Sequence, residues 1–187
     1  MKVILASASP RRRQLLRELY PDFEVMVADI DESLPAGVTP EEGVRLLSER
    51  KGGAVLERVA DPTALIISSD TLVELNGEPL GKPTDPSDAA RMLRALSGAA
   101  HFVRTGVAVH FGGRVASGVA STKVVFKELS DEEIAKYVAS GEPMDKAGSY
   151  GIQGAAGAFV ERVEGDMDTV IGLSLVLTKK LADSLLG

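Results

Sequence analysis

Two apolar stretches on either side of Gly112-Gly113 constrain the fold of this chain more than any other feature of its sequence. Residues from about 101 to 111 and from 114 to 128 have the composition of long β-strands, and the glycine pair between them is a turn signal. Together they predict the longest hairpin of the molecule. Helix and strand signals alternate elsewhere, as in α/β folds, but a hairpin argues against a purely parallel sheet. We therefore predict an α/β fold with a mixed central sheet that is flanked by helices.

Capping and turn residues define the remaining predicted elements. Further strands are expected at residues 2–6, 24–28, 64–75 and 158–163. Asn76-Gly77 is a hairpin turn signal after the third of these strands. Four helices are expected to begin behind a capping residue, namely Ser9, Thr39, Asp85 and Ser130. The second of these helices should run to about Val59, a glycine-rich loop should cover 148–157, and a terminal helix should begin at about residue 171.

The length and residue composition limit the domain organisation and the chemistry. A chain of 187 residues with 44% hydrophobic residues fits one domain with a sizeable core. No cysteine is present, which excludes disulfides, thiolate metal sites, iron–sulfur clusters and cysteine nucleophiles. The two histidines, His101 and His110, occur in one strand-like stretch without metal-ligand spacing, so a zinc site based on histidine is not expected.

Charge and hydropathy argue against several classes of partner. The formal net charge of −6 gives no general attraction to nucleic acid or to an anionic membrane. No run approaches the roughly 18 apolar residues of a membrane span, and the first ten residues lack the length of a signal peptide. We expect a cytoplasmic protein with neither a nucleic-acid nor a membrane partner. Positive charge for binding an anion must be local, and the arginines at 11–13 form the densest basic cluster.

The segment SASPRRR, residues 7–13, combines a helix start with a cluster of like charges. Ser9 can cap the helix and Pro10 suits its first position, so the three arginines fall at the positive end of the helix dipole. A bound anion would resolve this conflict by accepting hydrogen bonds from backbone N–H groups, from the Ser7 and Ser9 hydroxyls and from guanidinium groups. A polyphosphate fits this role better than a carboxylate. The alternative is a simple cap with a solvated arginine face.

Asp70 follows the apolar run LIISS, where burial of an ionised carboxylate without a partner would be costly. The carboxylate is then expected to be paired, metal-bound or protonated. The alternative is an aspartate that caps a turn at the end of a strand. Glu32 in the acidic loop DIDES and Lys82 in the motif GKP are candidate neighbours if the loops converge, which periodicity does not show.

The stretch GEPMDKAGSYGIQG, residues 141–154, places Asp145 and Lys146 ahead of three regularly spaced glycines. Glycine permits close approach of the backbone to a ligand, and Gln153 offers a donor and an acceptor that could contact a base edge. The alternative is an ordinary connecting loop with a surface ion pair. The glycine spacing alone is weak evidence, because it does not lead from a strand into a helix as a dinucleotide-binding motif does.

Five ordered segments resemble the Maf family of nucleotide pyrophosphatases, and the resemblance extends over nearly the whole chain. The segments are LASASPRRRQLL at 5–16, DES at 31–33, SSDTLVELNGEPLGKP at 68–83, TGVAV at 105–109 and DKAGSYGIQG at 145–154. The resemblance implies a single pyrophosphatase domain over residues 1–187, with two lobes around an active-site cleft, and it suggests a homodimer. Ser174 departs from the pattern, since the family usually has proline there.

By this resemblance each candidate residue receives a role. Asp70 is the proton acceptor that activates water, and Glu32 with Asp70 holds a divalent metal cation, for which oxygen ligands favour Mg²⁺ or Mn²⁺. The residues implied around the triphosphate are Ser7, Ser9, Arg12, Arg13, Lys51, Lys82 and Lys146. Lys51 enters through the resemblance alone, because the sequence by itself indicates only a lysine of the second helix with a solvated side chain.

Within the family the chain is most similar to the branch that acts on dTTP and UTP, because Arg12, Thr71 and Gln153 match positions associated with that specificity. The implied reaction converts these or modified pyrimidine triphosphates to a nucleoside monophosphate and pyrophosphate. Two alternatives stay open: a nucleotide-binding regulator of cell division without turnover, and a nucleotidyltransferase. The regulator has no need of Glu32 and Asp70 among anion-binding cations, since both would repel the ligand unless a metal intervenes. The transferase needs an acceptor site.

Overall fold

A computed structural model describes residues 1–59 and 61–187 of the chain. Its strands are β1 Val3–Leu5, β2 Glu24–Val25, β3 Leu65–Leu75, β4 Glu78–Leu80, β5 Ala100–Phe111, β6 Arg114–Phe126 and β7 Val160–Glu164. They form one sheet in the order β2-β1-β3-β5-β6-β7, and β4 pairs with β3. Strand β1 is parallel to β2 and β3, whereas β4 is antiparallel to β3 and β7 is antiparallel to β6. The sheet is therefore mixed, as predicted.

The long hairpin of β5 and β6 confirms the strongest prediction from the sequence. Its turn is made by Gly112 and Gly113, with φ angles of 58° and 73°. Both values lie in the left-handed region, which glycine adopts without strain. A two-residue hairpin turn of type I′ requires this region at both of its central residues. The turn sequence thereby fixes the register of the longest strand pair.

The helices are α1 Pro10–Leu16, α2 Pro40–Val59, α3 Pro86–Leu96, α4 Asp131–Ala139, α5 Met167–Ile171 and α6 Leu175–Leu186. The side chains of Ser9, Asp85 and Ser130 accept backbone hydrogen bonds at the starts of α1, α3 and α4. Thr39 and Glu42 exchange reciprocal hydrogen bonds at the start of α2, which is a capping box. The four predicted helix starts are confirmed. None of the helices in residues 1–59 and 61–187 has both the length and the apolarity needed to cross a membrane.

Three predictions of local structure need correction. The terminal helix predicted from about residue 171 begins only at Leu175, as α6, because the Ser174 hydroxyl caps it there, and the short helix α5 ahead of it is not predicted. The loop predicted at 148–157 contains short 3-10 helices at Ala147–Ser149 and Ala155–Phe159, and the following strand β7 begins only at Val160. The strand predicted at 24–28 is limited to β2, which lies at the edge of the sheet and pairs only through two residues.

The chain divides into two compact units, with boundaries within β3, β5 and β6 and between α5 and α6. The first unit comprises Met1–Thr71, Thr105–Ala120 and Gly172–Gly187, and the second comprises Leu72–Arg104 and Ser121–Ile171. In the first unit, apolar side chains of β1, α2 and β3 pack together, among them Ile4, Val55 and Ile66. In the second unit, aromatic rings of Phe126, Tyr137, Tyr150 and Phe159 pack with aliphatic side chains of α3 and α4.

Candidate active site

The segment between β1 and α1 is a tight turn built around two serine hydroxyls. Ser7 lies two residues after the buried end of β1, and its Oγ accepts a hydrogen bond of 3.2 Å from the backbone N–H of Ser9. Ser9 in turn caps α1, since its Oγ accepts from the N–H of Arg12 at 3.4 Å. The two hydroxyls thus direct the chain from the sheet into the helix and bring the Arg12 side chain to the carboxyl end of β1.

The guanidinium group of Arg12 is directed into the protein and contacts four acceptors of the first unit. Its Nε donates to the carbonyl of Gly172 at 2.8 Å, and Nη1 donates to the carbonyl of Ser69 at 2.8 Å and to Ser7 Oγ at 3.4 Å. Its Nη2 donates to Thr71 Oγ1 at 3.1 Å. Burial lowers the pKa of the Arg12 guanidinium, while the charge of Asp70 acts in the opposite direction. Arg12 is therefore not part of a solvated arginine face.

The carbonyl oxygen of Gly172 is the acceptor on which this cluster converges. Besides Arg12, it accepts from Ser69 Oγ at 2.9 Å and from Thr71 Oγ1 at 3.5 Å. Thr71 Oγ1 also lies 2.9 Å from Thr105 Oγ1. Gly172 has a φ of 127°, a value that side chains rarely allow, and a Cβ there would lie 3.4 Å from Arg12 Nε. Glycine at position 172 thus lets the chain present its carbonyl to Arg12.

Helix α2 is packed closely enough on the sheet to bring Lys51 to Asp70. Ser68 Oγ donates to the carbonyl of Ser48 in α2 at 2.7 Å. A Cβ on Gly52 would lie 2.5 Å from His110 Cδ2 and 2.7 Å from Ser68 Oγ, so only glycine permits this approach. Lys51 is next to this contact, and Asp70 is two residues after Ser68. The packing of α2 therefore fixes the distance between the two charged side chains.

Lys51 joins the two candidate carboxylates. Its Nζ lies 2.6 Å from Asp70 Oδ1 and 2.9 Å from Glu32 Oε1. The side chains of Lys51 and Asp70 are only 14% and 15% exposed, whereas that of Glu32 is 60% exposed. Arg50 holds the loop of Glu32 against α2, since its Nη1 donates to the carbonyl of Ser33 at 2.7 Å. The expectation of a solvated Lys51 side chain is wrong, because the lysine is the ion-pair partner of Asp70.

The donor set around Lys51 fits a hard divalent cation. Two carboxylate oxygens, Asp70 Oδ1 and Glu32 Oε1, face one ammonium group. Oxygen donors of this kind are preferred by Mg²⁺ and Mn²⁺ over zinc. In the described parts of the chain, no group of three or more His, Cys, Asp or Glu side chains is arranged to hold a metal. A cation held by Glu32 and Asp70 would therefore need further oxygen ligands from substrate or water.

The side chain of Arg13 lies in different surroundings from that of its neighbour Arg12. It lines a cavity of about 480 Å³ together with Lys2, Arg17 and Glu24. Its Nε is buried and has no hydrogen-bond acceptor among the residues that the structure describes. The structure therefore does not join Arg13 to the contacts made by Arg12.

The second unit carries the three remaining candidates, and its backbone links the segments on which they lie. Lys82 is exposed in the connection between β4 and α3, where the carbonyl of Gly81 accepts from the N–H of Gly148 at 3.0 Å. Lys146 Nζ donates to the carbonyl of Glu142 at 2.8 Å and to Asp145 Oδ1 at 2.7 Å. Gln153 is exposed at the turn before Ala155–Phe159. The segment of Lys82 and the loop that carries Lys146 and Gln153 are thus linked by one backbone hydrogen bond.

A family model described as Maf-like protein matches residues 2–185. The chain belongs to the Maf family. Its relatives in that family include a protein of Pelotomaculum thermopropionicum named dTTP/UTP pyrophosphatase, which is 49% identical over 98% of this chain and 95% of its own length. A protein of Shewanella denitrificans with the same name is 48% identical over 97% of this chain and 94% of its own length. Among solved structures, the Staphylococcus aureus Ham1 protein is similar at a TM-score of 0.46 and 18% identity, covering 100% of this chain and 96% of that one.

Several residues that arrange the site of this Maf family member are not apparent in the sequence. Gly172 accepts a hydrogen bond from Arg12, and Thr105 forms one with Thr71, although both come from distant parts of the chain. Ser68 of β3 donates a hydrogen bond to α2. Only two signals in the sequence could have indicated these residues. They are the polar pair Ser68-Ser69 within an apolar strand and the glycine in VIGLSL. The contacts themselves depend on tertiary packing.

Proposed function

We propose that this chain hydrolyses dTTP and UTP to the nucleoside monophosphate and pyrophosphate. The observation that carries the proposal is the relation, over nearly the full length of both chains, to proteins named dTTP/UTP pyrophosphatase. The chain has the groups that this reaction uses, since a carboxylate with little exposure lies beside a lysine and a second carboxylate. Modified pyrimidine triphosphates are further candidate substrates.

Asp70 is the general base in this proposal. Its carboxylate takes a proton from a water molecule whose oxygen forms a bond to the α-phosphorus. The bond from the α-phosphorus to the bridging oxygen breaks, and pyrophosphate leaves with that oxygen. Lys51 supports this role because its ammonium group fixes the Asp70 side chain at 2.6 Å. Asp70 Oδ2 then stays available for the proton.

Glu32 and Asp70 would hold a divalent cation, Mg²⁺ or Mn²⁺. When bound, such a cation neutralises charge on phosphate oxygens. Both carboxylates lie within 3 Å of one point, the Lys51 ammonium, which supports their joint use as ligands. Two carboxylates with the single ammonium group of Lys51 keep an excess of negative charge, which would otherwise repel a triphosphate.

The triphosphate is proposed to interact with cationic and hydroxyl side chains. The residues assigned to it are Ser7, Ser9, Arg12, Arg13, Lys51, Lys82 and Lys146. Fixed donors stabilise the charge that develops on the leaving oxygens without having to reorganise during the reaction. Among these, Arg12 has most of its donors engaged by the protein, so its contribution is to hold Ser7 and Thr71 in place.

Selection of the base is assigned to Thr71 and Gln153, with Arg12 holding Thr71 in place. A site that hydrogen-bonds a base edge discriminates strongly, because a wrong base leaves polar groups unpaired. Gln153 is exposed and carries both a donor and an acceptor. If Gln153→Ala kept the wild-type ranking of UTP, dTTP and purine triphosphates, this assignment would be wrong.

The test is release of pyrophosphate and nucleoside monophosphate from a panel of triphosphates with Mg²⁺ or Mn²⁺, without any added acceptor. We expect selective cleavage of dTTP and UTP by the wild type, loss of turnover but not of nucleotide binding in Asp70→Asn, and normal turnover in the control Asp166→Asn. Near-normal turnover of Asp70→Asn would remove Asp70 from the role of base. Binding without turnover by the wild type would favour the regulator, and a need for an acceptor would favour the transferase.

The organisation and setting of the molecule are part of the proposal. We take residues 1–187 to act as a single pyrophosphatase domain of two lobes, which works as a homodimer in the cytoplasm and has no nucleic-acid or membrane partner. The family match over residues 2–185 supports one functional domain. Sedimentation of the purified protein would test the dimer, and a monomer at micromolar concentration would overturn it.

A further inference from the structure

Glu142 is the residue around which the glycine-rich loop of the second unit is folded. Its Oε1 accepts a hydrogen bond from the Tyr137 hydroxyl at 3.0 Å, and its Oε2 accepts from the backbone N–H of Ala155 at 3.4 Å. The Tyr137 oxygen also accepts from the N–H of Gly151 at 3.3 Å. The carboxylate and the phenol therefore hold both ends of the short segment 151–155, which carries Gln153.

The glycines of this segment allow its close approach to the pair. A Cβ on Gly154 would overlap the Glu142 carboxylate, and a Cβ on Gly151 would lie 2.7 Å from Lys146 Cε. Neither glycine has a positive φ, so the absence of a side chain, and not an unusual backbone conformation, is what allows Glu142 and Lys146 to lie this close. The spacing of the two glycines thus reflects packing around Glu142 and Lys146.

Glu142 also holds Lys146, the lysine assigned above to the triphosphate. The carbonyl oxygen of Glu142 accepts from Lys146 Nζ at 2.8 Å, and the Lys146 side chain is only 14% exposed. An ammonium group has three donors, and the contacts to Glu142 and Asp145 use two of them. One residue therefore anchors the candidate phosphate lysine through its backbone and the candidate base-reading segment through its side chain.

Tyr137 is itself rigidly placed. Its side chain is buried, and its ring packs edge-on against that of Phe159 with a centroid distance of 5.2 Å. Burial raises the pKa of the Tyr137 hydroxyl, so the phenol keeps its proton at neutral pH and donates to Glu142. Segment 151–155 is thereby fixed to the aromatic core of the second unit.

We infer that Tyr137 and Glu142 are positioning residues for base selection, which hold segment 151–155 so that Gln153 meets the base of the nucleotide at a fixed distance from Lys146. The inference rests on the proposed function, since it concerns the same substrate. Neither residue touches the reacting atoms. Loss of either contact lets the segment move and costs discrimination between bases more than it costs the chemical step.

The experiment compares Tyr137→Phe with the wild type on dTTP, UTP and dGTP. Phenylalanine keeps the packing on Phe159 and removes only the hydroxyl that links Glu142 to Gly151. We expect the KM for dTTP to rise about tenfold with kcat within about threefold of the wild type, and the preference for dTTP over dGTP to fall about tenfold. Tyr20→Phe, in the first unit, is the matched control and should leave both quantities unchanged.

Variants of Glu142 separate positioning from folding. The amide oxygen of Glu142→Gln can still accept from Tyr137, so its base preference should lie between those of the wild type and Glu142→Ala. Glu132→Gln, an exposed residue of α4, removes the same charge and should keep the wild-type preference. If the two residues served stability alone, Tyr137→Phe and Glu142→Ala would have lower melting temperatures but an unchanged preference for dTTP over dGTP. That result would overturn the inference.

A binding measurement distinguishes this inference from the proposed function. The same proteins are titrated with the non-hydrolysable α,β-imido analogues of dTTP and dGTP. If the wild type binds the analogues but releases no pyrophosphate from dTTP, the proposed function fails. The ratio of the two Kd values then decides the inference, since it should fall about tenfold in Tyr137→Phe. A wild type without any preference between the analogues would overturn it directly.

Discussion

Arg12 and Gly172 are 160 residues apart in the chain and are joined by a hydrogen bond of 2.8 Å from Nε to the carbonyl oxygen. The same guanidinium group donates to the carbonyl of Ser69 and to Thr71 Oγ1. This one side chain therefore ties the start of α1 to β3 and to the connection that precedes α6. A planar group with several donors at fixed angles suits three acceptors that lie in different directions.

We expect Arg12→Lys to lower the free energy of unfolding by about 3 kcal/mol, because an ammonium group cannot reach all of these acceptors and leaves buried carbonyls unpaired. Urea denaturation would measure the change. Arg11→Lys, which keeps the charge and lies one residue earlier, serves as the control and should unfold within about 0.5 kcal/mol of the wild type. Equal midpoints for the two variants would show that the contacts of Arg12 contribute no stability.

The ion pair of Lys51 and Asp70 should show strong energetic coupling. Both side chains are largely buried, so removal of Lys51 leaves Asp70 without its partner, and removal of Asp70 leaves Lys51 with only the exposed Glu32. In a double-mutant cycle of Lys51→Met and Asp70→Asn, we expect a coupling free energy of about 2 kcal/mol from urea denaturation. The exposed pair Lys179 and Asp183, four residues apart in α6, should give only about 0.3–0.5 kcal/mol. Similar values for the two pairs would contradict the buried placement of Lys51.

Two neighbouring glycines of α2 should respond in opposite directions to replacement by alanine. In Gly52→Ala the new methyl group would meet His110 and Ser68, so we expect a loss of about 2–3 kcal/mol and a fall in turnover as Lys51 is displaced. A Cβ on Gly53 would lie 4.0 Å from His110, an ordinary contact, so Gly53→Ala should stabilise the helix by about 0.5–1 kcal/mol. Thermal unfolding measures both, and a stabilised Gly52→Ala protein would refute the close packing of α2.

The buried His101 should make the protein sensitive to acid. Burial lowers the pKa of His101 to about 4, and its Nε2 lies 2.7 Å from the Tyr150 hydroxyl. An unfolded chain binds the proton at a pKa of about 6.5, so it holds more protons than the native state between pH 6.5 and 4. Stability is therefore full above pH 6.5 and falls by about 3 kcal/mol as the pH drops to 4.

The His101→Gln variant tests this dependence. Glutamine can still form a hydrogen bond with Tyr150 but does not titrate, so the slope of unfolding free energy against pH between 4 and 6.5 should become shallower. His110 stays in both proteins, and burial lowers its pKa as well, so it contributes a common background. Parallel curves for the variant and the wild type would exclude His101 as the source.

Local signals in the sequence predict the parts of the fold that local interactions determine. The caps Ser9, Asp85 and Ser130 and the turn Gly112-Gly113 are confirmed, because each acts through its own backbone geometry and near neighbours. The start of the terminal helix is predicted too early, at about 171 instead of Leu175, because the apolar run gives no sign that the Gly172 carbonyl accepts from Arg12.

The arrangement of charges is less predictable than the elements that carry them. The sequence predicts that Asp70 needs a partner, since the apolar strand around it implies burial. It does not identify Lys51, because a lysine in a helix faces solvent unless packing brings it to the sheet. That packing depends on Gly52 and Ser68, whose role appears only when α2 and β3 are in place. Which of the candidate residues bind substrate stays a prediction.

The division of the chain into units has a consequence for synthesis. The second unit is complete once Ile171 has been made, whereas the first unit includes Met1–Thr71 together with Gly172–Gly187. A chain growing on the ribosome therefore exposes the Arg12 side chain before its acceptor at Gly172 has been translated. The first unit is therefore finished after the second, and Ser69, the neighbour of the proposed base Asp70, gains its hydrogen bond to the Gly172 carbonyl only at that stage.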